Sequence, residues 1–76
     1  MRYTVVYEKG ENNWSAFSPD VPGCIATGKD RQETEQNFKE ALEFHLEGLL
    51  EDGDPIPEPV TEVGTVDVRL PQLAGA

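Results

Sequence analysis

Residues 30–53 read DRQETEQNFKEALEFHLEGLLEDG, and the fold turns on this stretch. Asp30 can cap a helix through its side-chain oxygen, and Glu33 stands three residues later, where a capping-box acid reaches back. The spacing predicts a helix from about residue 31 to residue 51. At about 100° per residue, Thr34, Phe38, Ala41, Leu42, His45 and Leu49 fall on one stripe, which must lie on a sheet to hide its apolar surface. Gln36, Glu40, Glu43, Glu47 and Glu51 occupy the opposite face, with Leu46 and Leu50 on one flank and Phe44 on the other. Gly53 is placed to end the helix, and the run Asp54-Pro55-Ile56-Pro57-Glu58-Pro59 cannot continue it, because its three prolines lack the amide hydrogen.

The chain before the helix is strand-like. Tyr3, Val5 and Tyr7 alternate with Thr4, Val6 and Glu8, a β-branched and aromatic period-two pattern that predicts a strand over about residues 2–9. Gly10-Glu11-Asn12-Asn13 supplies turn residues, and Trp14 to Ser18 resumes the alternation, so the first two strands form a hairpin. Pro19-Asp20-Val21-Pro22-Gly23 makes a rigid connector into a short third strand, Cys24 to Thr27. Beyond the proline run, Val60, Glu62, Gly64, Val66 and Val68 predict a fourth strand, most convincing from Val63 to Leu70. A right-handed crossover would bring it beside the first strand and parallel to it. The expectation is an α+β fold, strand-strand-strand-helix-strand, with one four-stranded mixed sheet of order 3-2-1-4 covered on one face by a single helix. Residues 1–70 make the domain and 71–76 a short tail.

The 76 residues allow one domain at most, and a chain this short hides only about 60% of its unfolded surface on folding. No apolar run is longer than that of Val5 to Tyr7, far short of a membrane span. The first residues lack the continuous apolar stretch of a signal peptide, so the chain reads as cytoplasmic. The lone Cys24 has no partner for an intrachain disulfide.

A net charge of -9 repels phosphate backbones and anionic membranes, which argues against direct nucleic-acid or membrane binding. Ten acids and one base, Lys39, lie between Glu33 and Glu62, while the remainder holds five of each sign, so the whole net charge sits in one segment. Such a segment serves either as a solubilising face or as a docking surface for a basic partner. Glu43, Glu47 and Glu51 form an i, i+4 row of like charges, and Glu51 with Asp52 opposes the negative end of the helix dipole. That local cost favours docking. Glu43, Glu47, Glu51, Leu46 and Leu50 are therefore the candidate partner-binding residues.

Catalytic chemistry finds little support. One His and one Cys cannot assemble a zinc site of the usual ligand spacing. His45 belongs to the stripe facing the sheet, and Cys24 reads as a small apolar filler. No phosphate-binding loop is present among the glycines, so no nucleotide cofactor is indicated. Glu8, Glu40 and Asp67 are the only plausible metal-binding carboxylate trio, and Glu40 is expected to point away from the sheet. No catalytic residue, metal or cofactor is expected.

WSAFSPDVPGCIATG at 14–28, the helix segment 30–53 and PIPEP at 55–59 together resemble the HicB-like antitoxin family. The most specific pieces are PDVPGC at 19–24 and EFHLEG at 43–48. The resemblance implies a partial ribonuclease-H-like fold without catalytic carboxylates. It also implies a role as a non-catalytic antitoxin of a type II toxin-antitoxin system, occluding a small basic HicA-type ribonuclease that cleaves messenger RNA. Many members carry a second, operator-binding domain, and with residues 71–76 alone after the last expected strand, operator binding is not expected of these 76 residues. The alternative is an orphan homo-oligomeric scaffold or small-ligand-binding module. An exposed edge at the third or fourth strand, with Leu46 and Leu50 poorly covered, predicts a homodimer or larger assembly.

Overall fold

The computed structural model describes residues 1–71. Three strands, β1 (Val6–Lys9), β2 (Trp14–Phe17) and β3 (Ile25–Gly28), precede one helix, α1 (Arg31–Asp52). The strands form an antiparallel sheet in the order β1-β2-β3. Gly10 donates its amide to the carbonyl of Asn13 at 2.7 Å, closing the β1–β2 turn. β2 stops at Phe17 because Pro19, two residues on, has no amide to offer the ladder. With β2 ended, residues 2–5, expected to belong to the first strand, have no rung opposite them, and β1 starts only at Val6.

The connector between β2 and β3 is part of the core. The amide of Val21 reaches the carbonyl of Ser18 at 3.1 Å, and this turn drives the Val21 side chain inward. Gly23 then takes a φ of 87°, a left-handed conformation that glycine adopts without Cβ strain. Tyr7, Ala16 and Ala26 stand side by side across the three strands, and the buried cluster of Ala16, Val21, Cys24 and Phe38 forms beneath the helix. The other face of the sheet carries Val6, Phe17 and Ile25 in the alternate register, and no element among the described residues covers it.

α1 begins as its capping residues require. The Oδ1 of Asp30 accepts from the amide of Glu33 at 2.7 Å, while Oε1 of Glu33 accepts from the amide of Lys29 at 3.3 Å. Thr34, fully buried, donates its hydroxyl back to the carbonyl of Asp30 at 2.7 Å. Gly53 ends the helix in the left-handed conformation, φ 74°, and the amides of Gly53 and Asp54 close onto the carbonyls of Leu50 and Leu49. No helix among the described residues is long and apolar enough to cross a membrane.

The expected fourth strand does not form. The sheet has three antiparallel strands, so the four-stranded mixed sheet of order 3-2-1-4, and the partial ribonuclease-H-like arrangement that the resemblance implied, are corrected here. In place of a backbone ladder, the proline-rich connector is fastened to the sheet by side-chain bonds. The Tyr3 hydroxyl donates to the carbonyl of Pro57 at 2.7 Å, and the Thr4 hydroxyl donates to the carbonyl of Thr61 at 3.1 Å. Thr61 in turn gives its amide (3.0 Å) and its hydroxyl (2.7 Å) to the two carboxylate oxygens of Asp20. These bonds hold Thr61 at the end of the sheet where β1 begins and β2 has stopped. Residues 62–70 lead away from that point as an exposed, extended arm that pairs with no strand of its own chain. The tail beyond residue 71 lies outside the described residues.

Candidate functional site

The five residues singled out from the sequence all lie on the second half of α1, in two different settings. Glu43, Glu47 and Glu51 make an exposed ridge along the outer face of the helix. No basic residue occupies the last helical turn, and the ion pairs among the described residues, Lys29–Glu33 and Arg31–Glu35, lie at the opposite end. No ion pair among the described residues engages the ridge, and each of its two i, i+4 contacts costs the helix about 0.2–0.5 kcal/mol. Leu50, beside the ridge, is 66% exposed, whereas Leu46 is half-buried.

The sheet is too narrow to fill both sides of the helix, and an open groove flanks each side. Along the β1 edge a groove of about 430 Å³ is lined by Tyr3, Val5, Tyr7, Phe38, Leu42 and Leu46, with Glu35, Lys39 and Glu43 at its rim. Leu46 and Glu43 thus meet at this groove, while Glu47, Leu50 and Glu51 continue past it along the exposed ridge. Tyr7 closes one end. Its hydroxyl donates to Oε1 of Glu35 at 3.3 Å, and the Arg31 guanidinium stands 4.2 Å from the ring centroid. Burial, reinforced by the negative charge of Glu35, raises the Tyr7 phenol above its ordinary pKa, and Arg31 opposes the shift.

Along the β3 edge a second groove of about 420 Å³ is lined by Cys24, Ile25, Phe44, His45 and Leu49. His45 is half-buried against this side of the sheet. Cys24 is buried, and the loss of solvation pushes its thiol pKa up, which makes it a poor nucleophile. Phe44 is 78% exposed at the rim. The helical wheel had set Phe44 apart from the apolar stripe, and that isolation was the available signal for an exposed aromatic. The arm was the larger omission: Val66 is 85% and Val68 72% exposed, because their alternation was read as pairing within the chain.

The Asp20 carboxylate, which fastens the base of the arm, is held below its ordinary pKa. The Thr61 hydroxyl bond is the largest cause, followed by the Thr61 amide, with a smaller contribution from the amide of Val60. The other carboxylates do not converge: Glu8 is exposed on β1, Glu40 faces outward on α1 and Asp67 lies on the arm. Among the described residues no group of three His, Cys, Asp or Glu is placed to hold a metal ion. The geometry offers surfaces: an acidic ridge, two apolar grooves and an extended valine-bearing arm.

A family model described as HicB-like antitoxin of bacterial toxin-antitoxin system matches residues 3–75. An uncharacterized 14.9 kDa protein of Haemophilus phage HP1 is 36% identical over 99% of the chain, which spans 66% of the phage protein. Antitoxin HicB 2 of Photorhabdus laumondii is 34% identical over 100% of the chain, which spans 54% of that longer protein. One chain of a solved HicA3 and HicB3 toxin-antitoxin complex superposes with a TM-score of 0.67 at 28% identity, over 79% of this chain and 70% of the other.

Proposed function

The chain belongs to the HicB-like antitoxin family of bacterial toxin-antitoxin systems, and on that premise we propose that it is a non-catalytic antitoxin that binds and occludes a small basic HicA-type ribonuclease. The observation that carries this reading is the exposed ridge of Glu43, Glu47 and Glu51 on α1, which no ion pair among the described residues engages. The repulsion along it costs the helix without forming any ion pair among the described residues. Leu50 on the exposed flank, and Leu46 in the neighbouring groove, supply apolar contacts that a charged ridge alone lacks. Long-range attraction between this ridge and a cationic toxin surface speeds encounter, and the leucines then retain the complex. Occlusion of an RNA-binding surface requires no catalytic group on the antitoxin, in keeping with the dispersed carboxylates.

The test replaces Glu43, Glu47 and Glu51 together by Gln and follows association with a purified HicA-type toxin by stopped flow across a salt series. The far-ultraviolet circular dichroism should be unchanged. The association rate should fall roughly tenfold at low salt, and its dependence on ionic strength should flatten. An association rate at low salt equal to that of the parent chain would overturn the ridge as the docking surface.

A further inference from the structure

Gly48 lies inside α1, where glycine is less favourable than any residue but proline. The fold does not call for it: a Cβ at this position would meet nothing within 4 Å, and its backbone is ordinary helix. Gly48 lines the β3-side groove, with Phe44 one turn before it and Asp52 one turn after. The missing side chain thus leaves a notch between an aromatic ring and a carboxylate. Glycine at such a place lets another molecule approach closely.

The notch is acidic. Glu47 stands three residues beyond Phe44, and Glu51 and Asp52 stand three and four beyond Gly48, spacings that set them side by side on a helix. All three acids are exposed. The last turn of α1 holds no basic residue, and the negative end of the helix dipole adds to the field there. No Lys or Arg among the described residues lines this groove, whereas Lys39 stands at the rim of the β1-side one. The other end of α1 shows what such groups hold. There the Arg31 guanidinium lies 4.2 Å from the ring centroid of Tyr7 and 3.6 Å from Oε1 of Glu35. At the notch, Phe44 supplies the ring and Asp52 and Glu47 the acid, and the ring is 78% exposed.

We infer that the Phe44–Gly48 notch seats an arginine side chain of the basic partner, its guanidinium stacked on the Phe44 ring and held by Asp52 and Glu47, its stem lying over Gly48. Arginine suits the notch better than lysine, because a planar guanidinium can face a ring and fork onto a carboxylate at once. A nucleic acid brings no such cation and is repelled by the net charge of -9. The identity of the partner rests on the antitoxin reading, and the notch adds a separate step to it. The ridge of Glu43, Glu47 and Glu51 speeds encounter, whereas the notch slows departure.

The experiment follows a purified HicA-type toxin on and off the intact chain by surface plasmon resonance. Gly48→Gln, which fills the notch, and Phe44→Ala, which removes its ring, should each release the toxin roughly tenfold faster than the parent. Association should change by less than about twofold, since the ridge is intact. Phe44→Tyr should release the toxin at the parent's rate. Gly48→Gln should unfold at or above the parent's midpoint, which separates lost binding from lost stability. A second measurement needs no toxin. Triarginine titrated into the isotope-labelled chain should shift the Phe44 ring and Gly48 amide resonances, trilysine should shift them less, and Gly48→Gln should abolish the ring shift. Without peptide, Arg69→Gln should leave these resonances in place; a shift would make the chain's own arm the occupant and overturn the inference. Release at the parent's rate from both Gly48→Gln and Phe44→Ala, or triarginine shifts that spare Phe44 and Gly48, overturns the inference and leaves the antitoxin reading standing. A toxin that fails to bind the parent overturns the antitoxin reading, and the triarginine titration then decides the notch alone.

Discussion

Replacing Gly28 by Ala tests how closely β3 and the start of α1 are packed. A Cβ at position 28 would lie 2.6 Å from Oγ1 of Thr34, 2.7 Å from its amide nitrogen and 3.0 Å from its Cα. Ordinary contact begins at 3.4 Å, so the strand and the helix would have to part by about 0.7 Å. Neither side yields easily. The Thr34 amide and hydroxyl both bond the carbonyl of Asp30, at 3.0 and 2.7 Å, and Phe38, one turn further on, is buried in the core. Overpacking of this kind costs about 1–3 kcal/mol. The lower chain entropy of the unfolded alanine variant returns about 0.4–1 kcal/mol, leaving a net loss of about 1–2 kcal/mol. For a domain of this size such a loss lowers the Tm by roughly 5–15 °C. Gly48→Ala is the matched control, because nothing lies within 4 Å of its added methyl and it sits inside α1. That change should stabilise by about 0.5–1 kcal/mol. Urea and thermal unfolding followed at 222 nm read both variants. Should Gly28→Ala unfold at or above the parent's midpoint, the close approach would not be what seats the helix.

Other parts of the molecule give sharper single-residue tests. The hydroxyl of Ser18 is buried with no hydrogen-bond partner. Ser18→Ala should therefore be neutral or stabilising by up to about 1 kcal/mol in urea unfolding, and a clear loss of stability would mean the hydroxyl is satisfied. The Asp20 carboxyl is lowered from 3.8 by the Thr61 bonds. Its contribution is thus present above the unfolded-state pKa and is lost as pH falls through the lower folded-state value. Amide exchange at Thr61, corrected for its intrinsic pH dependence, should accelerate on acidification below about pH 4, and Asp20→Asn should remove that response; an identical profile in the variant would exclude the carboxylate. Cys24, buried with a raised thiol pKa, should react with an aromatic disulfide reagent only as fast as the protein opens. Reaction at the rate of a free thiol in the folded protein would contradict its burial.

The local parts of this structure were legible in the sequence. Asp30, Glu33 and Gly53 mark the ends of α1 because capping is decided within a few residues, and the observed helix, Arg31–Asp52, follows them. The two turns were equally local, although β1 starts at Val6 instead of about residue 2, β2 ends at Phe17 instead of Ser18, and β3 is displaced from Cys24–Thr27 to Ile25–Gly28. The fourth strand failed for a different reason. Alternating valines state that a segment can join a sheet, but the partner is chosen by contacts remote in sequence, and the Asp20–Thr61 bonds span 41 residues. No periodicity encodes such a tie. Similarly, a helical wheel ranks Glu43, Glu47 and Glu51 as outward, yet it cannot show that the sheet is too narrow to cover both flanks of the helix.

That tie also orders events in time. The two hairpin pairings and the helix–strand contacts all close within residues 6–52. The bonds from Tyr3 and Thr4 to the connector close loops of 54 and 57 residues, and such long closures form late. On a ribosome, β1 to α1 leave the exit tunnel before Thr61 does, and the valines follow it. The most adhesive stretch of the chain is thus the last of these parts to leave the exit tunnel. By then the nascent body no longer offers loose strands with which it could mispair.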